Sequence, residues 1–322
     1  MDVLWMIALL AIPFLMFASS TFVFYFKKFF YVAWMMLLAV VAIPLCILKS
    51  GGRDIENMRV IRFLVRHVKY LLGLRFEVSG WEHLQTEGPY VVISNHQSSL
   101  DVLGLMEILP DRCSAIAKKE LIYAGTVGLI CWLGGIVFIN RKKTSDAKGV
   151  MADTAKVMLN EQIRLWVFPE GTRNQNGDLL PFKKGAFHLA VQAQLQRKPS
   201  RSTSQMAWKR DSPQGEPHLA RPVGGLLRGR PGESSPRLSS QLQRKMVHVP
   251  IIPVVFSSYG NFYLQKEKQF KSGTIRLKIL PKIETKGMTP DDVTSLCEKS
   301  FRLMRSAFLD ISGTRSNGPL RH

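Results

Sequence analysis

His96 and Asp101 stand five positions apart in the heptapeptide NHQSSLD, which follows the apolar run Tyr90-Val91-Val92-Ile93. Such a run reads as a buried strand, and in an open parallel sheet ligands collect beyond the carboxyl ends of the strands. Ser98-Ser99 offers a helix start. Asp101 then falls in the first turn, close enough to accept a hydrogen bond from one imidazole nitrogen. The other nitrogen is left as a base. It can take a proton from a hydroxyl whose oxygen attacks an electrophile, an effect worth roughly 10² to 10⁴ in rate. Taken alone, the pair reads as well as a histidine satisfying a loop carbonyl beside an aspartate capping a helix.

A second cluster shifts the balance. Phe168-Pro169-Glu170-Gly171-Thr172-Arg173-Asn174 follows another short apolar run, Leu165-Trp166-Val167. Gly171 lets backbone approach a ligand closely, Thr172 offers a hydroxyl, and Arg173 carries a planar donor fork that matches phosphate. Together they read as an anion cradle. Arg141, after Ile136-Val137-Phe138-Ile139, and Lys118, after Ala115-Ile116-Ala117, add cations at two further strand ends.

These residues need a frame. Apolar runs at 75–78, 90–94, 136–139, 165–168, 251–256 and 275–280 alternate with segments of helical period at 147–159 and 186–193. That alternation predicts an α/β fold, a mainly parallel sheet covered by helices. Residues 291–308 read as a closing amphipathic helix with Thr289 as its cap.

The chain has 322 residues and a formal charge of +20, from 44 basic and 24 acidic side chains. So large an excess asks for an anionic partner, and the apolar N-terminus favours lipid over nucleic acid. Nothing in the sequence resembles a recognition helix or an aromatic stacking platform, so no nucleic-acid partner is expected. Cys46, Cys113, Cys131 and Cys297 are scattered with no CxxC pair, and read as reduced core or membrane thiols, not as a zinc site or disulfides.

Residues 3–26 and 29–48 are uncharged runs parted by Lys27-Lys28, each long enough to cross a bilayer. Two N-terminal membrane helices are the expectation, with a hairpin that dips in without crossing as the alternative. The following Lys49, Arg53, Arg59, Arg62, Arg66 and Lys69 argue for a cytosolic flank. A cleaved signal fits less well, since Met1-Asp2 supplies no basic start. Residues 121–139 form a third uncharged run. A span there would put His96 and Arg173 on opposite faces of a membrane, so it is assigned to the soluble domain, lying against the bilayer at most.

Residues 195–248 hold 11 Lys/Arg against 3 Asp/Glu, with six Pro, five Gly and eight Ser, and few aliphatics. This composition predicts disorder. The chain thus divides into membrane anchor helices at 1–50, a catalytic domain made of 51–194 and 249–312, and a basic insert at 195–248.

In sequence order, NHQSSLD, GIVFINR, FPEGTRN and VPIIPVVFSS resemble the four blocks of the glycerolipid acyltransferases, in particular of those acting on 1-acylglycerol 3-phosphate. The likeness covers residues 30–194 and 249–310. It implies that His96 is the general base on the 2-hydroxyl of lysophosphatidic acid, that Asp101 orients it, and that an acyl-CoA thioester is the electrophile. Acyl-CoA is then a co-substrate and no cofactor or metal is required. Glu170, Gly171, Thr172 and Arg173, with Arg141 and Lys118, become the substrate-binding set, and residues 249–255 a core strand near the acyl-chain groove. Apart from the resemblance, backbone N–H groups near Gly171 are a candidate for stabilising the thioester oxyanion. The resemblance further implies an integral protein of the endoplasmic reticulum membrane, with phosphatidic acid as product. Two alternatives remain at this stage: an acyltransferase for a different acceptor, or a catalytically silent protein that binds anionic lipid. The insert has no counterpart in the family pattern, and an unusual splice form would explain it.

Overall fold

The computed structural model describes residue 11 and residues 13–139, 144–195 and 249–313. Its centre is a seven-stranded sheet. In chain order the strands are β1 (Leu74–Ser79), β2 (Val91–Ser94), β3 (Cys113–Lys118), β4 (Val137–Ile139), β5 (Arg164–Val167), β6 (Ile251–Phe256) and β9 (Gly273–Ile279), laid out as β1-β9-β6-β2-β5-β3-β4. Between β6 and β9, the short strands β7 (Tyr263–Leu264) and β8 (Gln269–Phe270) pair with each other. Every pairing in the large sheet is parallel except β6 with β9. The expected mainly parallel sheet is therefore present.

Alternation along the strands sorts their side chains between two cores. Val92, Trp166, Ile252, Val254 and Phe256 face one way. They pack against α1 (Ser20–Ser50), α2 (Asn57–Val65), α3 (Val68–Leu72) and α4 (Asp101–Ile108). Val91, Ile93, Leu165, Val167, Ile251 and Val255 face the other way, against α6 (Thr144–Asn160), α7 (Gly185–Leu195) and α8 (Val293–Ile311). Burial on both faces explains why the central strands read as unbroken apolar runs. Gly104 brings α4 tight against β6, since a Cβ there would sit 2.3 Å from the Phe256 ring.

The N-terminal expectation needs correction. Lys27-Lys28 does not divide two spans; α1 runs unbroken from Ser20 to Ser50, even through Pro44. The lysines are accommodated differently: the domain serves Lys27, whose Nζ donates to Leu72 O (3.3 Å) and lies over the Phe270 ring, while Lys28 lies over Phe24 one turn back in α1 itself. At 1.5 Å per residue α1 is about 46 Å long, more than a bilayer's apolar core. It is the one described helix long and apolar enough to cross a membrane. One side docks through Phe24, Tyr31, Leu38 and Ala42, while Phe29, Val32, Val40 and Leu48 on the other side are exposed. Residues 3–10 of the first expected run lie outside the described residues.

The third apolar run belongs to the domain, as expected. It forms a 3₁₀ turn (Lys119–Tyr123), α5 (Gly125–Leu133) and β4. Nine residues of helix span only about 14 Å, too little to cross. Ile130 and Leu133 of α5 pack on α1. At the C-terminus Thr289 and Asp292 form a reciprocal capping box ahead of α8. The four cysteines are unpaired thiols, three of them buried. Residues 196–248 of the expected insert lie outside the described residues.

Candidate active site

β2 is flanked by β6 and β5, all parallel, so the loops leaving their carboxyl ends emerge side by side. His96 leaves β2, the 168–174 turn leaves β5, and Ser257 to Tyr259 leave β6. Topology alone thus gathers three distant segments on one edge of the sheet.

Each segment then clamps the His96 loop. Asn95 Oδ1 accepts from Phe256 N (2.8 Å) and its amide donates to Phe256 O (3.0 Å). Gln97 Nε2 donates to Ser257 O (2.8 Å), and Gln97 Oε1 accepts from Tyr259 N (3.1 Å). From the β5 side, His96 N donates to Glu170 Oε1 (2.7 Å) and Asn174 N donates to His96 O (2.8 Å). The Phe168 ring stacks on the imidazole, 4.2 Å between centroids.

Asp101 is the first residue of α4 and is fully buried. Its Oδ2 lies 2.6 Å from His96 Nδ1 and also accepts from Gln97 N (2.7 Å) and Ser98 N (3.1 Å). An oxygen that accepts two amide protons is a carboxylate acceptor, so Nδ1 carries the shared proton and Nε2 keeps its lone pair. Nε2 makes no hydrogen bond among the described residues, and the side chain is 20% exposed. This is a histidine oriented as a base.

Glu170 plays a part different from the expected one. It is 3% exposed, with Oε1 on His96 N and Oε2 accepting from Leu180 N (2.9 Å). Burial pushes its carboxyl up against the pull of those two amides. Both oxygens are spent on backbone, so Glu170 braces the loop and does not meet a phosphate. The Gly171 amide likewise donates to Phe168 O (3.1 Å), which removes it from an oxyanion role.

Thr172 and Arg173 are exposed on the turn, and Arg173 is one residue from the amide bonded to His96 O. The Arg173 charge reaches Tyr263, tempering the rise that burial imposes on that phenol. Gly171 adopts φ +71°, and Lys183 crosses it so closely that a Cβ would lie 2.9 Å from Nζ. Among the described residues neither Arg173 nor Lys183 enters an ion pair. Lys118 is exposed at the end of β3, beyond β5 on the same sheet edge. Arg141 lies outside the described residues, two positions past β4.

Sequence reasoning passed over Lys183, Gln97, Tyr259 and the pair Asp178–Arg305. Arg305 of α8 grips Asp178 through Nε and Nη2 at 2.7–2.9 Å, and Asp178 O accepts from Asn174 Nδ2 (2.6 Å). Asn174 and Gln97 sit inside the two quoted motifs, so they were within reach; Tyr259 and Arg305 are too remote in sequence to signal a link.

An acyltransferase family model matches residues 75–203. The human 1-acyl-sn-glycerol-3-phosphate acyltransferase alpha is 43% identical over 315 residues, covering 96% of this chain and 92% of the relative. The human beta form is 43% identical over 312 residues, at 97% and 93% coverage. This chain belongs to the 1-acyl-sn-glycerol-3-phosphate acyltransferase family. Among solved structures, the crystal structure of the 1-acyl-sn-glycerophosphate (LPA) acyltransferase from Thermotoga maritima superposes with a TM-score of 0.56 at 17% identity, covering 88% of this chain and 94% of that one. At that identity the likeness speaks for the fold. The acyltransferase fold here thus brings the His96–Asp101 pair and the turn bearing Arg173 to one edge of the sheet.

Proposed function

We propose that this protein transfers an acyl group from acyl-CoA to the 2-hydroxyl of 1-acyl-sn-glycerol 3-phosphate, giving phosphatidic acid and CoA. The observation that carries the reading is the His96–Asp101 pair at 2.6 Å, tied by two backbone hydrogen bonds of His96 to the turn bearing Arg173. Arg173 and Lys183 hold the acceptor's phosphate, with Thr172 beside them. Lys118 contributes a cation from the far side of β5, and Arg141 is a further cation of the binding set.

Nε2 of His96 takes the hydroxyl proton as the oxygen attacks the thioester carbonyl carbon. Collapse of the tetrahedral adduct breaks the carbon–sulfur bond, and the imidazolium returns the proton to the departing CoA sulfur. Asp101 steadies the imidazolium in between, and Phe168 keeps the ring from turning. No protein nucleophile, cofactor or metal enters this route. The family resemblance and the docked apolar helix α1 support placement as an integral protein of the endoplasmic reticulum membrane.

The test is acyl transfer by the full chain in membranes, with labelled acyl-CoA and lysophosphatidic acid. His96→Ala is expected to lower kcat by roughly 10² to 10⁴, with binding of lysophosphatidate-bearing vesicles kept. Full turnover in that variant would sink the proposal, and a panel of acceptors lacking or altering the phosphate tests the substrate.

A further inference from the structure

Asp101 serves the site through one oxygen only. Oδ2 meets three N–H groups, whereas Oδ1 is buried and finds no donor in hydrogen-bond geometry. The Tyr259 hydroxyl, on the loop leaving β6, is also buried and also without a partner. The two orphans bear on each other: the Asp101 charge and side chain both act on the Tyr259 hydroxyl, while no formed hydrogen bond joins them. A buried polar atom left unmatched is costly, so a small rotation that joins the two removes two penalties together. The backbone already holds them close. Tyr259 N donates to Gln97 Oε1 (3.1 Å), and Gln97 N donates to Asp101 Oδ2 (2.7 Å).

We propose that Tyr259 is a positioning residue of the His96–Asp101 pair, its hydroxyl donating to Asp101 Oδ1 so that both carboxylate oxygens are fixed. The inference rests on the reading of His96 as the base. Burial first, and then the Asp101 charge, push the Tyr259 hydroxyl well above its usual range, so it keeps its proton and stays a donor. Its donation spreads the carboxylate charge and weakens the hold of Asp101 on an imidazolium. Loss of that donation would strengthen the Asp101–imidazolium pair, which an activity profile against pH reads as a displaced acid limb.

Other groups face the same carboxylate: Tyr31 from α1, Tyr263 from β7 and Glu170 from the loop after β5, with Arg173 acting in turn on Tyr31 and Tyr263. They are common to wild type and variant, so a difference between the two isolates Tyr259.

The experiment is the pH profile of kcat/KM for the full chain in lipid micelles. Tyr259→Phe is expected to move the acid limb up by on the order of 0.5–1 pH unit and to lower kcat about tenfold, with both KM values within about twofold. In an Asp101→Asn background the same substitution should add little, because the carboxylate it tunes is gone. Replacement of Tyr259 by 3-fluorotyrosine, a stronger donor of the same shape, should move the limb down. An unmoved limb in a folded Tyr259→Phe protein, or a fully additive loss beside Asp101→Asn, overturns the proposal. Should the phenylalanine variant not fold, the fluorotyrosine protein decides, and an unmoved limb there overturns it too. Undiminished activity in His96→Ala would instead remove the base reading, an outcome separate from these.

Discussion

At the scale of single residues the site separates groups that react from groups that hold. His96 keeps one nitrogen for substrate and gives the other to Asp101, while Glu170, for all its charge, spends both oxygens on backbone. The cations are the reverse case, since Arg173 and Lys183 are exposed and pair with no acid among the described residues. Cations bracketing a glycine turn are where the proposed substrate phosphate would be met. Charge-assisted bonds of this kind are worth about 1.5–3 kcal/mol when well formed, and an exposed lysine should sit at the low end. Lys183→Ala is therefore expected to raise KM for lysophosphatidic acid about tenfold and leave kcat and the KM for acyl-CoA nearly unchanged. Steady-state kinetics with each substrate varied would check this, and an unaltered acceptor KM would take Lys183 out of the phosphate site.

At the scale of elements, the helix that closes the fold also steadies the turn. Arg305 of α8 holds Asp178, Asp178 O takes the Asn174 amide, and Asn174 N reaches His96 O. Burial alone would raise the Asp178 carboxyl, but the Arg305 fork and the Leu179 amide outweigh it and hold the group below the usual carboxylate range. A carboxyl lowered in the folded state stabilises the fold above its unfolded pKa of about 3.9, and that contribution is lost as pH falls through the folded value. Arg305→Gln should thus lower the thermal midpoint at neutral pH, with the gap to wild type closing below about pH 4. A gap that persists in acid would mean that packing, not charge, is the link. This chain of contacts also marks where sequence reading stops. Strands β2, β5 and β6 were legible because burial on both faces leaves unbroken apolar runs, and His96 with Asp101 was legible because a short loop from strand end to helix start fixes their separation. Arg305 and Tyr259 carry no such signal. Their partners are set by tertiary packing, and α1 was misjudged for the same reason, Lys27 being satisfied by the domain the helix rests on.

At the scale of the whole molecule, the question is how much of the chain the catalytic unit needs. The strand β6 is fully buried between β9 and β2, and its amides and carbonyls at the Phe256 end lock Asn95 beside the base. It is reached from α7, which ends at Leu195, and everything from 196 to 248 lies between them in sequence. Strand and helix are held by their own cores, with Val249, Ile251, Val255, Phe187 and Val191 all buried, so their docking does not depend on the length of what joins them. Connections of two to six residues are ordinary between a helix and the next strand of a parallel sheet, and each doubling of a flexible loop costs only about 0.6 kcal/mol. Removing 195–248 and joining Gln194 to Val249 should therefore leave a folded enzyme, with acyl transfer within about threefold of wild type and the thermal midpoint nearly unchanged. The same deletion takes away 11 basic and 3 acidic residues, so the net charge falls from +20 to +12. Attraction to anionic vesicles should weaken accordingly, most visibly at low salt, where screening is least. Transfer that rises sharply on deletion would show the segment obstructing the site, and transfer that vanishes from a folded protein would show it completing the site. Only the intermediate result fits a catalytic unit built from α1, the seven strands and their helices alone.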